Sequence, residues 1–188
     1  MPKTQMSRFH IHDDLTAPEG SLPILKGASS AAGQLPNFLG ALAGSPAALR
    51  AYVRFRGELR HGKLSRDTAE RIALAVAEHY ASKPGLQLHS RTSRQAGLGI
   101  DEVANARNWA SSDPREDALL KFLQPLLADP AKAPQHLHEE AKEAGWDDEQ
   151  LLEAIAILSL ESFTAMVNLA GEIPVDGSVE ETRMLRAA

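Results

Sequence analysis

The chain contains no cysteine at any of its 188 positions, so it has no disulfide and no thiol that could serve as a nucleophile or redox group. Aromatic residues are also scarce, at 5%, although hydrophobic residues reach an ordinary 43%. A chain of this length buries a core large enough to fold without disulfides or metals. The missing cysteine therefore restricts the chemistry of the protein more than its stability.

An excess of positive charge is missing as well. The formal net charge is −5 and the sequence pI is about 5.8. Nucleic-acid binding needs clustered basic residues, so we expect no nucleic-acid partner. The one notable basic run, Arg50, Arg54, Arg56 and Arg60, is more typical of a solvated helix face or a subunit contact than of a phosphate site.

Long apolar runs are not evident in the sequence, and we expect no segment that crosses a membrane. The first six residues, MPKTQM, lack the apolar run of a signal peptide. We therefore expect a cytoplasmic protein without a membrane partner.

Apolar residues recur at helical spacing along the chain, and no stretch alternates as a strand would. This pattern predicts an all-α protein, a single-domain helical bundle. We expect its core to be formed by helices at residues 65–82, 86–97 and 148–171.

The predicted organisation has three parts. Residues 1–34 form an arm and a short helix ending near Gly33, residues 35–178 form the helical domain, and residues 179–188 form a tail. In the arm, His10 and His12 could contribute to a metal site, because alternate residues of an extended segment share a face. One strand alone rarely completes a site, so a surface arm is the favoured interpretation and we expect no metal.

The helix at 148–171 is the longest and is apolar on nearly every side, which indicates burial. Asp147 and Gln150 have the spacing of a capping box at its start. Ser159, Ser162 and Asn168 interrupt its apolar surface. These three either satisfy one another in the core or line a pocket.

The segment from residue 65 to 97 organises the rest of the chain. Ser65 is a plausible N-cap for a helix that carries Glu70, and a break is expected at Lys83-Pro84-Gly85. A second helix then carries His89. If the two helices pack antiparallel, contact between Glu70 and His89 requires a tilt or a bridging group.

These residues carry a resemblance to the alkylhydroperoxidase D / carboxymuconolactone decarboxylase family. In the peroxidase branch, a Glu is followed after about a dozen residues by Cys-x-x-Cys, and then by a His four residues later. Glu70 and His89 stand at the matching positions, while Ser82 and Gly85 replace the two cysteines. The decarboxylase branch lacks the pair, and the segment from Leu86 to His89 resembles its Leu-x-Leu-His motif.

The resemblance implies an alkylhydroperoxidase D-like fold, a homo-oligomer, and a cofactor-free lyase or isomerase. Glu70 and His89 would form its acid/base pair, acting on a small-molecule substrate such as a carboxylic acid or lactone. Arg91 and Arg94 could hold a substrate carboxylate. Cysteine-dependent peroxidase activity is not expected, because both thiols are absent.

Structural roles are an open alternative for the same residues. Glu70 could be a helix-start acid that interacts with the dipole, and His89 could be a core histidine with satisfied hydrogen bonds. The chain would then be a non-catalytic homo-oligomer that lost the redox cysteines. A pocket lined by His89 with an arginine in reach favours the enzyme, whereas a His89 sealed by apolar neighbours favours the alternative.

Overall fold

The computed structural model describes residues 7–32 and 35–177, and the predicted end of the first helix at Gly33 and the predicted tail at 179–188 lie outside them. Over these residues the chain is all-α, with no strand. Two short 3₁₀ helices, Glu19–Ser21 and Pro130–Lys132, accompany the α-helices. The α-helices are α1 (Leu22–Ala32), α2 (Asn37–Leu42), α3 (Pro46–Leu59), α4 (Arg66–His79), α5 (Lys83–Gln95), α6 (Ile100–Arg107), α7 (Pro114–Ala128), α8 (Gln135–Glu143) and α9 (Asp148–Ala170).

Helix starts follow the capping chemistry of the sequence. The side chain of Ser65 accepts a hydrogen bond from the first turn of α4, as predicted. At the start of α9 the capping box is reciprocal. The Gln150 backbone N–H donates to Asp147 Oδ1 at 2.8 Å, and the Asp147 N–H donates to Gln150 Oε1 at 3.2 Å.

The turn between α4 and α5 lies earlier than predicted. The expected corner at Lys83-Pro84-Gly85 is wrong, because these residues form the first turn of α5. Proline is well tolerated there, since its missing N–H would have no partner within the helix. The chain turns instead at Ala81, which adopts a positive φ of 51°, and Ser82 is the N-cap of α5.

The described residues divide into two compact units. The expected limits of the helical domain, residues 35–178, stay a prediction. One unit combines the chain up to Gly57 with residues 164–177, and the other is Glu58–Phe163. The second unit has a core built from α4, α7, α8 and α9. Its fully buried residues include Ile72, Ala75, Val76, Leu119, Leu120, Leu123, Ala141 and Ala154.

In the first unit, the segment from residue 7 to 17 is irregular and packs through its backbone. The Arg8 N–H donates to Gly171 O at 2.7 Å, and the His12 N–H donates to Gly40 O at 3.0 Å. A Cβ at Gly40 would lie 2.7 Å from His12 O, so this close approach requires glycine. The His10 and His12 rings touch edge to face, and no described group of three or more His, Asp or Glu side chains could hold a metal ion.

Helix α9 has the bounds that the sequence predicts to within one residue, and it is long and apolar. By length and composition it could cross a membrane, with a mean hydropathy of 1.4 over an 18-residue window, so the expectation that no apolar run is long enough is wrong. That no segment crosses a membrane stays a prediction. Half of that window is buried inside the protein. A core helix meets the same criteria, so α9 by itself is poor evidence for a membrane span.

The polar interruptions of α9 mostly bond to their own helix. Ser159 Oγ donates to Ile155 O at 2.8 Å, and Ser162 Oγ donates to Leu158 O at 2.7 Å. Both are bonds to the carbonyl four residues earlier, a common arrangement for serine inside a helix. Neither of the two expected roles, mutual satisfaction or pocket lining, is needed to explain these two serines.

Candidate active site

Glu70 of α4 and His89 of α5 meet directly. His89 Nδ1 lies 3.0 Å from Glu70 Oε2, so no bridging group is required. His89 is 3% exposed and the Glu70 side chain 13% exposed. Thr92, one helical turn after His89 in α5, donates its hydroxyl to the same Glu70 oxygen at 2.6 Å. The antiparallel pair of helices therefore holds this carboxylate with two donors.

A second carboxylate faces the other side of the imidazole ring. Glu161 of α9 places Oε2 at 3.3 Å from His89 Nε2, and its side chain is 9% exposed. His89 thus lies between two carboxylates that come from two different helices, α4 and α9. This arrangement is buried inside the unit Glu58–Phe163.

The geometry selects the protonation state of His89. A neutral imidazole has one N–H donor, and its other nitrogen is an acceptor that would repel a carboxylate. Only the imidazolium donates from both nitrogens. Burial lowers the pKa of His89, but the charges and hydrogen bonds of Glu161 and Glu70 outweigh burial and raise the pKa to about 9. At neutral pH the three side chains therefore carry one positive and two negative charges when both carboxylates are ionised.

One carboxylate oxygen of Glu70 is available for further contacts. Oε2 accepts from His89 and Thr92, whereas Oε1 has no hydrogen-bond partner among residues 7–32 and 35–177. The slight exposure of this side chain makes Oε1 the oxygen that a small molecule could approach. Chemically, the arrangement is an oriented carboxylate base with a fixed cationic neighbour.

Arg91 and Arg94 lie away from this group. Both are exposed, while His89 is buried on the same helix. Residues two and five positions after His89 lie about 200° and about 140° around the helix axis from it. The structure therefore brings Glu70 and His89 together, but does not bring either arginine to them.

Comparison with known proteins identifies the relationship. Residues 46–127, which contain α4 and α5, match the carboxymuconolactone decarboxylase family. The matched segment spans less than half of the 188-residue chain, and over this segment the chain is similar to that family. No curated protein matches it in sequence. Glu70 and His89 lie inside the matched residues, and Glu161 lies outside them.

Solved structures show the same alkylhydroperoxidase D-like fold. An uncharacterised peroxidase-related protein from Ralstonia eutropha JMP134, an alkylhydroperoxidase AhpD core, is 18% identical with a TM-score of 0.82, over 92% of this chain and 94% of that chain. An uncharacterised peroxidase-related protein from Silicibacter sp. TM1040 is 17% identical with a TM-score of 0.78, over 94% of this chain and 95% of that chain. The debrominase Bmp8, as a variant in complex with 2,3,4-tribromopyrrole, is 18% identical with a TM-score of 0.69, over 88% of this chain and 89% of that chain.

Ser82 and Gly85, which the resemblance places at the positions of the cysteine pair, are buried and adjacent. Ser82 is 1% exposed, and its Oγ has no hydrogen-bond partner within the described part of the chain. A Cβ added at Gly85 would lie 3.2 Å from Ser82 Oγ and 3.1 Å from Ala77 Cβ. The site has no sulfur, and the hydroxyl that remains is not hydrogen-bonded to a base.

Sequence reasoning missed Glu161. It was read as part of an apolar helix whose polar interruptions were serines and an asparagine. The signal was nevertheless present, because a glutamate in a helix expected to be buried on several sides needs a partner.

A second set of buried ionisable groups lies between α4, α6 and α7. Glu116 Oε1 accepts the hydroxyl of Thr68 at 2.8 Å, while Oε2 is buried without a partner among the described residues. Burial raises the pKa of Glu116. Arg71, also buried, donates from Nε to Glu102 at 2.9 Å. These contacts tie the three helices together.

Proposed function

We propose that this carboxymuconolactone decarboxylase family protein is a cofactor-free acid–base enzyme, a lyase or isomerase acting on a small molecule. The observation that supports the proposal best is the buried imidazole held between two carboxylates, one of which keeps an unbonded oxygen. Such a group can accept and return a proton without a metal or an organic cofactor. Residues 70 and 89, the expected acid/base pair, both take part.

In the proposed mechanism, Glu70 Oε1 is the proton acceptor. It removes a proton from a carbon next to a carbonyl group, and the electron pair of the broken C–H bond moves into an enolate. His89 and Thr92 orient the carboxylate through Oε2, which keeps Oε1 directed towards the substrate. The proton then returns to a second carbon in an isomerisation. In a decarboxylation Glu70 first takes a proton from solvent; the C–C bond to the leaving carboxylate breaks, its electron pair moves into an enolate, and Glu70 Oε1 donates its proton to the carbon that lost carbon dioxide.

The charges of the site favour an uncharged substrate. Glu70, Glu161 and imidazolium His89 together carry a net charge of −1 when both carboxylates are ionised, and a substrate carboxylate close to them would be repelled. Arg91 and Arg94 are exposed on other sides of α5. We therefore favour isomerisation of an uncharged lactone over decarboxylation of a free acid. A solved protein of this fold binds 2,3,4-tribromopyrrole, which supports testing small uncharged rings as well.

The test is proton exchange at a carbonyl-adjacent carbon. A panel of lactones, ketones and keto acids is incubated in D₂O and followed by NMR, with carbon dioxide release measured in parallel. We expect exchange with the wild type and its loss in Glu70→Gln. Glu78→Gln is the matched control, because Glu78 is on the same helix and pairs with Arg107 at the surface. Equal exchange by wild type and Glu70→Gln would contradict the proposal.

The alternative is a non-catalytic homo-oligomer that retains the family fold. The burial of His89, with only 3% exposed, favours it, since a sealed ring is typical of a structural ion pair. Under this alternative, no compound in the panel exchanges, and Glu70→Gln lowers the free energy of unfolding instead. Either form is proposed to act in the cytoplasm as a homo-oligomer without nucleic acid.

A further inference from the structure

We propose that Glu161 is a positioning residue that holds His89 as a permanent imidazolium, so that the ring serves as the counter-ion of Glu70 and not as a base. This role lies outside the residues that match the family. The effect of Glu161 on catalysis rests on the proposed function. The charge state itself does not depend on whether the protein is an enzyme.

The first step of the argument is the occupancy of both ring nitrogens. Nδ1 lies 3.0 Å from Glu70 Oε2 and Nε2 lies 3.3 Å from Glu161 Oε2. These two carboxylates, one on α4 and one on α9, are the charged groups that face the ring, and Thr92 on α5 bonds to Glu70 and not to His89. With both carboxylates ionised, each nitrogen must carry a proton for both contacts to be attractive.

The second step is the burial of all three groups. A charge that is removed from water needs a partner of opposite sign, and an imidazolium between two carboxylates has two. With a neutral ring, one carboxylate would face a nitrogen lone pair with little water to screen it. Glu161 therefore stabilises the charged ring, and the charged ring in turn holds Glu70 Oε2.

The third step assigns the reactive group. His89 has no nitrogen left for a substrate, because both N–H groups are used within the protein. Glu70 has Oε1. Glu161 therefore affects the chemistry indirectly, by holding the His89 ring that anchors Glu70 Oε2.

The experiment is ¹⁵N NMR of the histidine side chains, in which imidazolium and each neutral tautomer have distinct shifts. The His89→Asn variant identifies the His89 signals. At pH 8 we expect wild-type His89 to be an imidazolium. In Glu161→Gln its titration midpoint should fall by about one to three pH units, because one opposite charge is lost. The neutral ring should then keep its proton on Nδ1.

Two further variants complete the design. Glu161→Asp keeps the charge, so His89 should stay an imidazolium at pH 8. Glu149→Gln changes an exposed glutamate on the same helix and should leave the titration as in the wild type. A neutral wild-type His89 at pH 8 would overturn the proposal even if Glu161→Gln does not fold. So would a titration midpoint unchanged by Glu161→Gln. Neither result depends on detecting a substrate.

Discussion

Replacement of Ser82 and Gly85 by cysteine tests whether the backbone at these two positions could hold a cysteine pair. A Cβ at residue 85 would lie 3.5 Å from Ser82 Cβ and 3.2 Å from Ser82 Oγ. Disulfides have Cβ–Cβ distances of about 3.5–4.5 Å, so the two positions are close enough to bridge. We expect the Ser82→Cys, Gly85→Cys double variant to form an intramolecular disulfide on mild oxidation.

The effect on stability should be small because two contributions oppose each other. Closing a four-residue loop stabilises the fold by about 2 kcal/mol through the entropy of the unfolded chain. The new Cβ at residue 85 lies only 3.1 Å from Ala77 Cβ, and overpacking of this kind costs about 1–3 kcal/mol. We expect the oxidised double variant to match the wild type within about 1 kcal/mol in the free energy of unfolding.

Thiol titration and intact mass measure the disulfide, and urea unfolding measures the stability. The single variants cannot form the intramolecular bridge, and Gly85→Ala isolates the crowding against Ala77. The reasoning is refuted if the folded double variant keeps two free thiols under oxidant while the same chain forms the bridge once unfolded. That result would mean that the backbone at 82–85 holds the two side chains apart.

Peroxide consumption with a dithiol reductant gives the functional readout. The wild type should show no thiol-linked turnover, since a serine hydroxyl is far less acidic than a thiol and cannot cycle through sulfur oxidation states. Some turnover is expected from the double variant. Robust wild-type turnover, with bound metals excluded, would refute the reading of this site.

Three further predictions concern stability and assembly. Glu116→Gln should raise the free energy of unfolding relative to the wild type as pH rises above 4.5. The reason is that folding raises the pKa of this carboxyl, so its ionisation destabilises the folded wild type. Urea unfolding of both proteins at pH 4 and 7 measures the difference. Leu123→Ala, at a fully buried position, should lower the free energy of unfolding by about 2–5 kcal/mol in the same assay. Sedimentation should show an oligomer at micromolar concentration, since Leu152 and Met166 on α9 are 67% and 52% exposed, and a monomer would contradict this.

Much of the helical architecture could be predicted from local signals. The capping residues Ser65 and Asp147 mark the starts of α4 and α9 within one residue, because caps act through neighbouring backbone groups. The sequence predicts that the helices carrying Glu70 and His89 pack antiparallel. It does not predict the distance between the two side chains. Direct contact depends on how closely α4 and α5 approach, which local patterns do not encode.

Two of the misses have separate physical causes. The α4–α5 turn was placed at Pro84 and Gly85, although Ala81 supplies the left-handed residue that a glycine usually supplies. Glu161 was missed because it lies 72 residues from His89 in the chain. A pairing of that range becomes visible only when α9 packs on the α4–α5 pair.

The same pairing couples folding to proton uptake. The pKa of His89 is ordinarily 6.5 and rises to about 9 in the folded protein. Between these pH values the unfolded chain has a mostly neutral ring and the folded chain has a charged one, so each molecule that folds takes up a proton from solvent. The stability that His89 contributes is fully present below pH 6.5 and is lost as pH rises through about 9. Refolding at pH 8 in a weakly buffered solution should therefore make the solution more alkaline, and a pH indicator could follow the completion of the contact between α5 and α9.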